Sequence, residues 1–378
     1  MNTQKKIFAA AAAVLLAGVA GAAWLMGSAA HSESTEDAYV EGNIVQVTPQ
    51  VGGSVTLIAA DNTDFVQAGQ PLLKLNEVDA QLAVARAEAQ LSRAVRQVRV
   101  QFANATQQKA NVTLRATDLA KVQSDLARRQ QLASSGAVSG EDLRHAKDAV
   151  KAAQAAMSVA EQQLASSQAL VDQTSIASHP DVQAAVAALR DAYVAASRTT
   201  VRAPVSGHVS KRNVQIGQRV NAGSAVMSIV PPEQMWVSAN FKESQLRNIR
   251  AGQAVELVAD VYGRSVRYKG RVIGQEAGTG SAFALLPAQN ASGNWIKVVQ
   301  RVPVRIALDQ KELAAHPLKL GLSMRVQVDT ASPAAPAAQD GRKSYQTDVF
   351  AHELEDADKA VARIIAANVG HANTPRVQ

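Results

Sequence analysis

Hydrophobic residues recur every seven positions through the middle of the chain, which is the pattern of long helices that supercoil around a partner. The first stripe lies in a stretch of about 57 residues without glycine or proline, which predicts one helix about 85 Å long. The second follows a glycine-containing turn at 134–140 and shifts by four residues at His179-Pro180, where a kink or local unwinding is expected. The stripes are Val84, Leu91, Val98, Ala105, Val112, Leu119 and Leu126, then Leu143, Val150, Met157, Leu164 and Val171. Segment 77–199 is therefore predicted to be an antiparallel helical hairpin.

The same short β-motif occurs on both sides of this hairpin. The copies at 49–55 and 204–209 each contain proline followed by a Gly-x-Val step. Each copy ends in a Val-x-Ala-Gly turn and an apolar run, at Val66–Gly69 and Val220–Gly223. We interpret 44–76 and 200–230 as two halves of one small β-domain that the hairpin divides.

The rest of the chain after residue 30 divides into a β-rich region and a tail. Residues 31–43 are polar and then strand-like, which predicts a linker and a first barrel strand. Residues 231–330 contain short apolar runs bounded by glycine and are predicted to form a small antiparallel barrel. Residues 331–378 are predicted to be a flexible linker and a C-terminal tail. The tail has helical spacing at Leu354, Val361, Ile364 and Ile365.

An uninterrupted apolar run occupies residues 7–30, directly after Lys5 and Lys6. As a helix it spans about 36 Å, more than the bilayer core of about 30 Å. The lysines are expected to keep residues 1–6 in the cytoplasm, which places the bulk of the chain in the periplasm. A cleaved signal peptide is the alternative, because residues 28–30 are small, but the run exceeds the usual 7–15-residue core. We predict a retained single-pass inner-membrane anchor.

Composition gives no positive signal for catalysis. The chain has no cysteine, so disulfides, thiolate metal sites and cysteine nucleophiles are excluded. The seven histidines are dispersed without metal-ligand spacing, and the glycine-containing loops at 217–223 and 278–281 lack the further residues of phosphate-binding motifs. A Ser-His-Asp catalytic triad whose residues are distant in sequence remains an alternative, although no nucleophile-elbow motif is present. The net charge is +7, but basic residues alternate with acids, which argues against nucleic-acid binding.

The hairpin tip carries the most suggestive group of side chains. Arg128 and Leu132 share a helix face near the end of the first arm, and Ser139 starts the return arm with Asp142 at a capping position. We interpret the three residues as a docking surface at the end of a long spacer. In the alternative interpretation, Leu132 closes the coiled coil, Arg128 is a solvated charge and Ser139 is only a helix cap.

From about residue 7 to 330 the order of elements resembles the periplasmic adaptors, or membrane fusion proteins, of the HlyD family. The resemblance implies an elongated multidomain α+β fold: an N-terminal transmembrane helix, a split lipoyl-like β-domain, a long coiled-coil hairpin and a small β-barrel. The run Gly278–Lys297 resembles the EmrA-type multidrug efflux adaptors, which work with major facilitator pumps. Four further stretches carry the resemblance: Thr35–Val40, Asp61–Val66, Ser206–Ser210 and Met235–Glu243.

The family implies a non-enzymatic part of a tripartite machine. An inner-membrane transporter of the major facilitator (EmrB-like) class moves the drug, the adaptor forms a homo-oligomer, and the hairpin tips meet a TolC-like outer-membrane channel. Arg128, Leu132 and Ser139 match the Arg-x3-Leu-x6-Ser docking pattern of many adaptors. An adaptor of a type I-like secretion system is the runner-up.

Two other chemical roles are a cofactor-carrier domain and a binding surface on the barrel loop. Lipoyl and biotinyl carrier domains bear a cofactor on a hairpin lysine, but here the helices occupy that place and Lys74 lies within an apolar run. No cofactor is expected, and a carrier-domain enzyme component is a distant alternative. The predicted barrel loop carries enough apolar surface for an amphipathic drug or for a subunit contact. Its apolar residues are Phe283, Leu285, Leu286 and Trp295.

Overall fold

The computed structural model describes residues 32–134, 136–283, 299–332 and 345–369. The strands before the hairpin are β1 (Ser32–Gly42), β2 (Val45–Val47), β3 (Gly53–Ile58), β4 (Phe65–Val66) and β5 (Pro71–Leu75). The hairpin helices are α1 (Val78–Ala133), α2 (Gly140–Ala169) and α3 (Pro180–Ser197). Then follow β6 (Thr200–Arg202), β7 (Gly207–Arg212), β8 (Arg219–Val220), β9 (Met227–Val230), β10 (Met235–Lys242), β11 (Ala254–Ala259) and β12 (Tyr268–Gln275). The last elements are β13 (Arg301–Leu308), α4 (Gln310–Ala315), β14 (Ser323–Asp329) and α5 (Glu355–Val369).

The two copies of the β-motif form one domain of two four-stranded sheets, in the orders β2-β9-β7-β4 and β6-β5-β3-β8. Each sheet takes strands from both sides of the hairpin. Equivalent hydrogen bonds cross between the copies: the Gly69 amide donates to the Ala203 carbonyl at 2.8 Å, and the Gly223 amide donates to the Pro49 carbonyl at 2.9 Å. Both glycines have φ near +80°, which explains why the repeated turn requires glycine. The halves are therefore related by an approximate internal symmetry.

A closed barrel of six strands lies next to this domain, in the order β1-β10-β13-β12-β11-β14. The first strand pairs with β10 on one side and with β14 on the other, so the N-terminal strand completes the barrel. It begins at Ser32, earlier than the apolar stretch Ala38–Val40 indicated. The predicted linker is thus mostly strand, because pairing on both edges holds polar residues in the sheet.

The hairpin changes its packing along its length. Near the β-domain, α1 packs against α3 and α5, and its heptad residues Leu91, Val95 and Val98 are fully buried. Beyond that point α1 pairs with α2 alone, and the stripe from Ala105 to Leu126 is only half-buried. The C-terminal tail, whose role the sequence left open, therefore supplies a third helix at the hairpin base.

The return arm breaks between Ala169 and Pro180, where the heptad register shifts. Pro180 is the first residue of α3, and the buried ring of His179 accepts a hydrogen bond from the Asp181 amide at 3.2 Å. Proline needs no amide donor at that position, so one helix ends and another begins here, which is the local unwinding that the sequence predicted. Ile176 in the break and Val369 at the end of α5 pack against the same cluster. The break therefore lies beside the cluster that α5 also covers.

Along α2 a row of small side chains faces α1. Ala146 and Ala160 are buried, and Ala153 and Ser167 continue the same seven-residue spacing with partial burial. Small residues at such positions allow two helices to approach closely, and we call this row the small-residue seam. Among the described residues no helix is long and apolar enough to cross a membrane; the predicted anchor 7–30 lies outside them.

Candidate docking site at the hairpin tip

The tip is a short turn that joins α1 to α2. The Ala137 amide donates to the Leu132 carbonyl at 3.3 Å, and the Gly136 amide donates to the Ala133 carbonyl at 3.1 Å. Gly136 has a φ of 80°, a left-handed conformation that suits glycine at a helix end. These bonds satisfy the last carbonyls of α1 and reverse the chain within a few residues.

Arg128 and Leu132 lie one turn apart on the exposed face of α1. The Arg128 side chain is 70% exposed and forms an ion pair with Asp125 at 3.2 Å. Arg129 approaches the other oxygen of the same carboxylate at 2.8 Å. The Leu132 side chain is 52% exposed, whereas the stripe leucines Leu119 and Leu126 are half-buried. A guanidinium and an apolar group are thus offered together near the end of the molecule.

Ser139 performs the predicted capping role. Its Oγ accepts a hydrogen bond from the Asp142 amide at 3.1 Å and donates to the Asp142 carboxylate at 2.6 Å. Glu141 and Asp142 stand in the first turn of α2, where negative charge is favourable. The hydroxyl therefore points along its own helix, and Ser139 sets the shape of the turn.

The electrostatics of the tip are dominated by short-range pairs. The hydrogen bond from Arg128 lowers the pKa of Asp125, and Arg129 adds to the effect. The hydrogen bond from Ser139 lowers the pKa of Asp142. Both carboxylates remain charged at neutral pH, so the tip presents arginine side chains that are already oriented. Asp125 and Arg129 were not predicted, although Asp125 stands three residues before Arg128 and four before Arg129, and this spacing is the signal that could have identified them.

The second predicted contact region is described only in part. Phe283 is 70% exposed, and its ring lies against Gly278, where an added Cβ would stand 2.6 Å from the ring. Leu285, Leu286 and Trp295 lie outside the described residues.

The described residues give no support for a cofactor or metal site. Lys74 lies inside β5 and pairs across the sheet with Thr200 and Leu57, so it is a strand residue. No group of three or more histidine, aspartate or glutamate side chains in the described ranges could hold a metal ion.

Comparisons with known proteins place this architecture. Residues 78–199 match the EmrA alpha-helical hairpin domain. The chain is 53% identical to the fatty acid resistance protein FarA of Neisseria gonorrhoeae, over 81% of this chain and 78% of that protein. It is 45% identical to the multidrug export protein EmrA of Escherichia coli, over 90% and 88% of the two chains. A solved structure of the periplasmic adaptor protein EmrA aligns with 79% of this chain and 98% of its own, at 16% identity and a TM-score of 0.41. The chain belongs to the EmrA family of multidrug export adaptors, which are membrane fusion proteins.

Proposed function

We propose that this adaptor connects an inner-membrane major facilitator transporter to a TolC-like outer-membrane channel. Residues 7–30 anchor it in the inner membrane, the bulk of the chain lies in the periplasm, and several copies assemble around the export path. The transporter supplies the energy, and the adaptor catalyses no reaction.

The observation that carries this proposal is the combination of a long rigid arm with an exposed tip. The 56 residues of α1 extend about 84 Å from the β-domain. Arg128 and Leu132 stand at its far end, and arginine is a residue type enriched at binding hot spots. An arm of this form is suited to reaching a partner across the periplasm.

The test is the double variant Arg128→Glu with Leu132→Asp. If both side chains are anchors, each costs about 2 kcal/mol or more, which is roughly a thirtyfold loss in affinity for the channel. We expect drug resistance to be lost in a strain that depends on this adaptor, while co-purification with the transporter is unchanged.

A matched control lies on the same helix. Leu114 is 57% exposed, and Arg115 forms an i, i+3 ion pair with Asp118 as Arg128 does with Asp125. Leu114→Asp with Arg115→Glu makes the same chemical change away from the tip and is expected to retain resistance. Full resistance in the tip variant, at equal membrane level, would refute docking through these residues.

Drug binding by the adaptor itself is a second candidate, supported by the exposure of Phe283 at the edge of the barrel. Calorimetric titration of the purified protein with hydrophobic drugs is expected to give heat that Phe283→Ser reduces. Val261→Ser, at another exposed apolar position of the barrel, is the control. Absence of heat with the unmodified protein would exclude this role.

A further inference from the structure

The C-terminal segment 345–369 contacts both arms of the hairpin base, and we call it the C-terminal clasp. Its helix α5 buries Ala357, Ala360 and Ile364 against α1 and α3. These side chains cover an apolar surface that the coiled-coil pattern alone would leave open at the base. The covered residues are Leu91, Val95, Val98, Val182, Val186 and Leu189.

Ion pairs follow the clasp along its length. Glu353 accepts two hydrogen bonds from the Arg198 guanidinium at 2.9 and 3.2 Å, and its side chain is only 18% exposed. Asp358 pairs with Arg190 at 2.7 Å. A half-buried ion pair with two bonds constrains geometry more than an exposed one, because both groups are held at fixed angles.

Near its C-terminus the clasp helix meets arginines of α1. Arg96 donates to the Asn368 side chain at 2.8 Å, and Arg99 donates to the Asn368 carbonyl at 3.4 Å. Positive charge is favourable at a helix C-terminus, as negative charge is at the N-terminus, where Glu355 and Asp356 stand. The charges therefore fix the direction of α5 as well as its position.

The segment before α5 lies beside the split β-domain. Val349, Phe350 and Glu353 line a groove that Thr48 and Pro49 of that domain also line. One continuous segment thus packs against α1 and α3 and shares a groove with the β-domain.

The covalent connection between the hairpin and the β-domain consists of two chain crossings. The chain crosses the junction at 75–78 and at 197–200, where the Leu75 amide donates to the Thr199 carbonyl at 2.8 Å and the Asn76 amide donates to the Ser54 carbonyl at 2.8 Å. Two adjacent crossings form a hinge, since they leave the long arm able to tilt unless a third contact holds it.

We propose that the C-terminal clasp supplies this third contact across the groove that it shares with the split β-domain and that, held by its ion pairs, it sets the angle between the hairpin and that domain. Its loss lets the hairpin tilt about the two crossings, and a tilt at the base displaces the tip of an arm about 84 Å long by many ångströms.

The proposal is tested by a distance measurement in the full chain. The sequence has no cysteine, so Lys121→Cys on α1 and Lys211→Cys on β7 provide the only two sites for spin labels. The unmodified clasp is expected to give a single narrow distance. Glu353→Arg places two positive charges face to face, and we expect the narrow distance to be lost. Exchanging both charges, Arg198→Glu with Glu353→Arg, is expected to restore it.

Two further variants make the outcome decisive. Glu355→Arg makes the same change of charge two residues further along the clasp, but Glu355 pairs with His352 inside the clasp, so the narrow distance is expected to persist. Ile364→Asp places a charge in the buried face and releases α5 even if one ion pair is insufficient. Hydrogen exchange of the α5 amides reports that release. A released helix with an unchanged distance would overturn the proposal, and failure of the charge exchange to restore the distance would overturn the role of the ion pair.

Discussion

Close packing of α1 and α2 at the small-residue seam predicts that enlarging a seam residue destabilises the hairpin. Ala160 is 3% exposed at the contact of α2 with α1. Ala160→Leu adds three carbon atoms at this point. If the seam had room, burying them would stabilise the hairpin by about 2 kcal/mol, at about 0.8 kcal/mol for each carbon. If the seam is closed, overpacking destabilises it by about 1–3 kcal/mol. We expect the second result.

Urea unfolding followed by circular dichroism at 222 nm is a suitable assay, because the helices dominate that signal. Val159→Leu is the control, because Val159 lies next to Ala160 but is 58% exposed. A change at this surface position should alter the free energy of unfolding by less than about 0.5 kcal/mol. A higher urea midpoint for Ala160→Leu than for the unmodified protein would refute close packing of the two helices.

Two other predictions follow from the tip and the barrel. Removing the cap with Ser139→Ala should cost the hairpin about 1 kcal/mol. The pKa of Asp142 should rise toward its usual value in that variant, because the Ser139 hydrogen bond is the main cause of its lowering. A carbon-detected NMR titration measures this pKa. An unchanged pKa would contradict the assignment of the lowering to Ser139. Since the folded-state pKa is lowered, the stabilisation by Asp142 is present above about pH 4 and is lost as the pH falls through the folded value. In the barrel, Gly270→Ala places a Cβ 2.6 Å from the Ala307 carbonyl oxygen and should destabilise β12 by more than about 1 kcal/mol. Gly274→Ala on the same strand meets nothing within 4 Å and is the control; equal urea midpoints, followed by tryptophan fluorescence, would disprove the steric argument.

The sequence predicted the parts of the fold that repeat. The seven-residue stripe located α1 to within about two residues at each end, because a long helix repeats its signal many times. The duplicated turn indicated that the halves belong together, and the Gly69 and Gly223 hydrogen bonds give the physical reason.

The clasp could not be predicted in the same way. The heptad residues of α1 that pack against α3 and α5 look no different in sequence from those that pack against α2, because both contacts need apolar side chains. The tail has only two turns of apolar spacing, and residues 331–342 separate it from every other element in sequence. Its pairing with Arg198 and Arg190 depends on distance in space, which local patterns do not encode. Similarly, the sequence indicated Arg128 at the tip, but its ion pair with Asp125 was not predicted.

The contact between Leu75 and Thr199 has a consequence for the order of folding. Strands β5 and β6 are separated by 124 residues, and β1 and β14 by 280 residues. The hairpin needs only contacts between neighbouring arms, so it can form first as the chain emerges, whereas the sheets depend on distant segments. Once formed, the hairpin brings the Leu75 amide within 2.8 Å of the Thr199 carbonyl. This proximity removes most of the entropy cost of joining the two β-halves. The same insertion that extends the molecule therefore also acts as the template on which its β-domain assembles.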